Sequence, residues 1–199
     1  MPTATDITVR NLTVNDADRC ATLMTLAFLA DPPSRWLWPD PNVFLRAFPR
    51  FVRAFGGAAF DAGVAFATDD FAGAALWLPP GIHADDDALG ALFEATVPEA
   101  RLKDAFTIFA QMESFHPKEP HWHLPLIGVD PAFQRCGLGA ALLTHGLELC
   151  DRAGLPAYLE ATSPRNAAFY TRHGFERVGT IQTADSPEII PMVRRPHAG

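Results

Sequence analysis

Gln134-Arg135-Cys136-Gly137-Leu138-Gly139 is the stretch whose residue types and spacing most directly suggest chemistry. Two glycines one residue apart let a backbone approach a ligand closely, and the helical pattern that starts there would present unpaired amides at its positive dipole end. That combination suits a diphosphate, although a tight strand-to-helix turn with glycines needed only for packing fits the spacing as well. Two nucleotide loops are disfavoured by their remaining positions. No lysine follows either glycine, as a Walker loop requires, and Leu142 occupies the third glycine position of a GxGxxG fingerprint. His121 and His123 alternate onto one face of a strand, a spacing that permits metal ligation, but no third ligand is evident in the sequence and no metal is expected. Cys136 lies in the amide-rich turn, where a thiol pKa can fall, yet a loop cysteine contributing only its backbone is the simpler reading.

The elements that must position these groups can be read from periodicity. Trp122 to Val129 is a strand-like run leading into the glycine loop, followed by a helix with Leu138, Leu142, Leu143, Leu147 and Cys150 over much of its surface. Thr144, His145, Glu148, Asp151 and Arg152 form its polar face, and Gly154 ends it. Pro156 to Glu160 reads as a strand, Asn166 to His173 as a short helix, and Phe175 to Thr183 with Ile189 to Arg194 as a closing antiparallel pair. Upstream, Ile7 and Val9 open a short strand and Asn15 is placed to cap a helix that stops at Asp31-Pro32-Pro33. Asn42 to Phe55 spaces Phe44, Phe48, Phe51 and Phe55 as one helical face. Val64 to Thr68 and Ala74 to Leu78 read as a hairpin, and Asp85 to Val97 and Glu99 to Met112 as helices divided at Pro98, neither with an obvious reactive constellation. The pattern is that of one α/β domain over residues 1–199 with a mixed sheet.

Val129-Asp130-Pro131 followed by Gln134-x-x-Gly137-x-Gly139 resembles the acyl-CoA pyrophosphate loop of the GCN5-related N-acetyltransferase (GNAT) family. Asn166-Ala167-Ala168-Phe169-Tyr170-Thr171-Arg172-His173-Gly174-Phe175 independently resembles that family's second motif, and the two cover about residues 122–180 in the expected order. Within the family, His116 to Trp122 and Leu159 to Asn166 are similar to puromycin N-acetyltransferase; the N-terminal half matches more loosely. The resemblance implies a mixed, mostly antiparallel sheet flanked by helices, with two central parallel strands splayed around acetyl-CoA as cosubstrate. It also implies diphosphate contacts from the main chain of Gln134, Arg135, Cys136, Gly137, Leu138, Gly139 and Ala140. Val129 would contact the thioester end, with Asn166 and Phe169 beside the cofactor.

Under that reading an amine attacks the thioester directly, so no cysteine nucleophile is needed. Tyr170 is the expected proton donor to the departing thiolate, since a phenol of ordinary pKa ≈ 10 can protonate it at short range. Glu160, ending a strand that faces the slot, is the expected general base, with Glu119 and His116 as alternatives just before the other strand. Asn166 can also serve as a helix cap. Within residues 31–60, Trp36, Trp38, Phe44, Phe48, Phe51 and Phe55 are core residues that could also wall the acceptor side. Composition narrows the partners. Basic residues number 16 against 23 acidic, a net charge of −7, and Lys103 and Lys118 are the only lysines, so no nucleic-acid surface is expected. No apolar run spans a membrane and the first residues lack a signal-peptide pattern, so a cytoplasmic protein without membrane contact is expected. The expected acceptor is a small-molecule amine, a homodimer is compatible, and the rival function is a non-catalytic acyl-CoA sensor.

Overall fold

The computed structural model describes residues 7–197. Strand β1 (Val9–Asn11) is followed by a 3-10 turn at Val14–Asp16 and helix α1 (Ala17–Ala27). Asn15 lies inside that turn and does not cap the helix; the Thr13 N–H instead donates to Asp16 at 3.0 Å. Helix α1 stops ahead of the proline pair, where Asp31 accepts from the Ser34 N–H at 3.1 Å and starts α2 (Pro32–Leu37) with proline in its first turn. So short a helix leaves no periodicity to read. Helices α3 (Pro41–Gly56) and α4 (Ala58–Asp61) precede the hairpin β2 (Ala65–Thr68) and β3 (Gly73–Leu78), then α5 (Asp86–Thr96) and α6 (Glu99–Phe115). The second half holds β4 (Trp122–Val129), α7 (Leu138–Ala153), β5 (Ala157–Ala161), α8 (Pro164–Thr171), β6 (Glu176–Arg177) and β7 (Ile190–Arg194).

All seven strands join one sheet in the order β1-β2-β3-β4-β5-β7-β6, antiparallel except for β4 beside β5. Helices cover both faces. Successive strand residues point to opposite sides, so Leu76 meets α3 at Gly56 while Trp77 meets α7 at Gly146. The α3 phenylalanines stack at centroid separations of 5.0 to 5.5 Å from Phe44 to Phe55, and Phe44 and Phe48 are fully buried in the core. No helix among the described residues is long and apolar enough to cross a membrane.

Candidate active site

Strands β4 and β5 pair only at Trp122 with Ala157 and His123 with Tyr158, then part. The cause lies in β4. Between its pairings with Leu78 and Leu76 it advances from His123 to Leu126, one residue more than β3 uses, so a bulge forms around Leu124 and Pro125. Proline has no N–H to give to a ladder, and a bulge bends its strand away. The resulting slot opens toward the C-terminal ends of both strands.

At its mouth, Arg135 (φ 65°) and Gly137 (φ 89°) adopt left-handed conformations and turn the chain into α7. The loop side chains of Gln134, Arg135 and Cys136 are exposed, whereas Leu138 is buried. The amides of Leu138, Gly139 and Ala140 lie in the first turn of α7, where no intrahelical acceptor exists. Gln134 Nε2 donates to the Val129 carbonyl at 3.3 Å, tying loop to strand end. A Cβ at Gly139 would meet only Val129 and Phe169, at 3.7 and 3.9 Å, so the helix start faces open space between these two side chains.

Deeper in the slot, Glu160 sits in the walls of two cavities. One is a cleft of about 1080 Å³ bounded by the 79–84 loop, α5, α6 and residues 116–121; the other is a recess of about 70 Å³ bounded by α2, Pro125, Leu126, Thr162 and Ser186. Its side chain is 5% exposed and faces two histidines, with Oε2 at 3.0 Å from His123 Nε2 and Oε1 at 3.7 Å from His116 Nε2. Burial alone would raise the carboxyl pKa, but these two rings outweigh it and bring it down to about 2, so Glu160 remains an anion. Oε1 is nevertheless buried without a hydrogen-bond partner. The rings continue outward: His116 Nδ1 lies 3.0 Å from His121 Nε2, and His121 Nδ1 lies 2.9 Å from the Glu119 carbonyl. His116, His123 and Glu160 bring donor atoms within 4.8 Å of one another, a set with the reach to hold a cation, in place of the His121 and His123 pair considered from spacing.

Tyr170 lies on α8 between Phe169 and Phe175, at centroid distances of 5.2 and 5.8 Å, outside the walls of both cavities. Burial, reinforced by the nearby Asp31 charge, raises its phenol pKa and keeps the hydroxyl protonated. Asn166 is not the cap of this helix. Ser163 takes that place, accepting from the Asn166 N–H at 3.2 Å, while Asn166 Nδ2 donates to Thr162 at 3.2 Å from within the first turn. Ser163-Pro164 is the stronger cap-and-first-turn signal. Asp31, read from sequence only as a helix stop, lines the recess with Glu160. Helices α5 and α6, which showed no reactive constellation, supply Phe93, Phe106 and Phe109 to the large cleft. Of the 31–60 aromatics, Trp36, Trp38, Phe51 and Phe55 reach the recess.

The slot runs from an amide-rich helix start, past unpaired strand edges, to a carboxylate with histidines at the apex. Comparison with known proteins identifies the family. An uncharacterized N-acetyltransferase of Schizosaccharomyces pombe is 26% identical over 205 residues, covering 94% of this chain and 83% of that protein. The structure of "histone acetyltransferase HPA2 and related acetyltransferase" from Corynebacterium glutamicum is 29% identical with a TM-score of 0.69, over 97% of this chain and 98% of that one. Arylalkylamine N-acetyltransferase 2 from Aedes aegypti shares the fold at 14% identity and a TM-score of 0.66, over 96% and 100% of the two chains. The family model "Acetyltransferase (GNAT) family" matches residues 25–175, a span holding the loop, Glu160 and Tyr170, and the chain belongs to that family of acetyl-CoA-dependent acetyltransferases.

Proposed function

We propose that the protein transfers acetyl from acetyl-CoA directly to the amine of a small molecule, within a single domain whose residues 122–180 hold the cosubstrate and whose residues 31–60 contribute to the acceptor side. The observation that carries this reading is the position of Glu160, a buried anion shared by a cleft and a recess at the apex of the splayed strands. One side is for the acceptor, the other for the acetyl group.

Gln134 to Ala140 cradle the diphosphate through their main-chain amides, Val129 contributes backbone along the pantetheine arm, and Asn166 and Phe169 flank the cofactor from α8. Glu160 carries the base function, acting with the histidines on it. The nitrogen attacks the thioester carbonyl, main-chain donors stabilise the oxyanion, and Tyr170 protonates the departing sulfur. No metal takes part in these steps. The cleft joins phenylalanine rings to Asp86, Glu113 and Glu119, with Lys118 the only cationic side chain other than histidine in its wall, which favours a cationic amine with an apolar or aromatic body. The segments similar to puromycin N-acetyltransferase carry His116, His121 and Glu160, so an aminonucleoside is one such candidate. Three free cysteines and an acyl-CoA cosubstrate support a cytoplasmic setting, and no proposed step requires a second subunit.

A thiol-release assay with acetyl-CoA over aminonucleosides, polyamines, arylamines, aralkylamines and peptide N-termini tests the reading. Turnover concentrated among small amines with an apolar body is expected. CoA binding without turnover of any amine would favour a sensor.

A further inference from the structure

The three side chains that meet at the apex are held by regular parts of the fold. His123 pairs with Tyr158 in the last register before β4 and β5 part, Glu160 follows two residues later on β5, and His116 ends α6. Glu160 Oε2 lies 3.0 Å from His123 Nε2, while Oε1 lies 3.7 Å from His116 Nε2, beyond hydrogen-bond reach. Oε1 is therefore a buried carboxylate oxygen with no partner, on a side chain that is 5% exposed. Keeping such an oxygen from water costs free energy unless something positive meets it. All three side chains line the large cleft and only Glu160 of the three reaches the recess, so the point between them opens to the cleft. Ligand atoms about 2.0–2.2 Å from one tetrahedral zinc ion stand about 3.3 Å from each other. The two contacts of Glu160 bracket that spacing, and the whole set lies within 4.8 Å, which a small turn of the rings closes.

We propose that His116, His123 and Glu160 form a zinc site and that the bound ion shuts the acceptor side of the apex; the inhibitory part rests on the acetyltransferase reading above. Two imidazoles with one carboxylate suit a borderline ion such as Zn2+, whereas Mg2+ and Ca2+ prefer oxygen ligands throughout. The ion takes the place of the ring hydrogens that face Glu160, and these leave to solvent. His116 bound through Nε2 keeps its hydrogen on Nδ1, 3.0 Å from His121 Nε2, and His121 Nδ1 in turn donates to the Glu119 carbonyl at 2.9 Å. That chain is the outer support that holds a ligating histidine ring in orientation. The fourth position faces the cleft, where water completes the tetrahedron and where Asp86 and Glu113 add negative charge to the approach. Once Glu160 is bound to the ion it no longer meets an ammonium group, so zinc and a cationic acceptor exclude each other. Acetyl-CoA, held by residues 129–140 in that reading, keeps its place.

The test loads untagged, metal-free protein with Co2+, whose visible spectrum reports coordination, and with Zn2+ for X-ray absorption. One equivalent of cobalt should give the bands of a four- or five-coordinate ion without sulfur-to-metal charge transfer, and the zinc absorption should fit two imidazoles with oxygen ligands. His116→Ala and His123→Asn should each weaken binding by at least ~10²-fold and His121→Phe by ~10-fold, since loss of an outer partner alone costs about 10–100-fold. Heat stabilisation by CoA checks that each variant is folded. No stoichiometric binding to wild type, a sulfur ligand from a cysteine, or affinities unchanged in all three variants would overturn the site. With turnover followed as amide product, Zn2+ should raise the apparent KM of the amine, leave that of acetyl-CoA unchanged, and be reversed by a chelator. Zinc that binds without this effect overturns the inhibitory part. A protein that turns over no amine even when metal-free refutes the enzyme reading, while the cobalt spectrum still decides the site.

Discussion

Glu160 keeps its charge almost without water because two imidazoles face it, and this makes folding sensitive to acid. Its folded-state pKa lies near 2, below the ordinary value of 4.5, so between these values the unfolded chain binds more protons. Stability from this group is complete above pH 4.5 and disappears as pH falls toward 2. Glu160→Gln should therefore flatten the acid limb of a plot of Tm against pH over that window; an unchanged slope would place the acid sensitivity elsewhere. Tyr170 makes a cleaner catalytic probe, since removing its hydroxyl leaves the ring to pack on Phe169 and Phe175. Tyr170→Phe should keep CoA affinity and lose ~10²- to 10⁴-fold in kcat where protonation of the thiolate limits turnover. The sequence singles out Glu160 from a strand end, Tyr170 from a motif and His116 as an alternative base. The alignment of His116 with His121 behind Glu160 is not legible there, because only the turn at 116–121 brings their rings into line.

Helix α7 carries two glycines that look alike in sequence and do different work. A Cβ at Gly146 would lie 2.1 Å from the Trp77 indole nitrogen, so that glycine lets the helix settle on the sheet. Gly146→Ala should cost about 1–3 kcal/mol or more, read as a lower denaturant midpoint. Gly139 has no such neighbour. Gly139→Val should stay folded with a Tm close to wild type while its branched side chain blocks the cofactor, lowering CoA affinity by at least roughly tenfold, since close backbone approach is what its glycine permits. Comparable loss of stability in both variants would argue that Gly139 also serves packing. Long elements with strong periodicity, α3, α7 and β4, are plain in the sequence. The short α2 is not, and the Pro125 bulge that opens the slot depends on β4 being paired with β3, which a single strand's sequence does not reveal.

At the scale of the whole molecule, charge distinguishes the two substrates. The protein carries a net −7, and the walls of the large cleft hold Asp86, Glu113, Glu119 and Glu160 of that acidic set, against Lys118 and the Arg195 that pairs with Glu119. In the proposed reaction a cationic amine is attracted to this field, while polyanionic acetyl-CoA approaches against it and would be held by local amides at the start of α7. Salt screens long-range terms over about 10 Å at 0.1 M and acts much less on contacts buried in the slot. Raising ionic strength should thus increase KM for a cationic amine and leave KM for acetyl-CoA unchanged or lower. An uncharged acceptor of similar shape should lose the effect. Steady-state kinetics with each substrate varied in turn at low and high salt would decide it: parallel rises in both KM values would mean that ionic contacts, and not backbone amides, dominate cofactor binding.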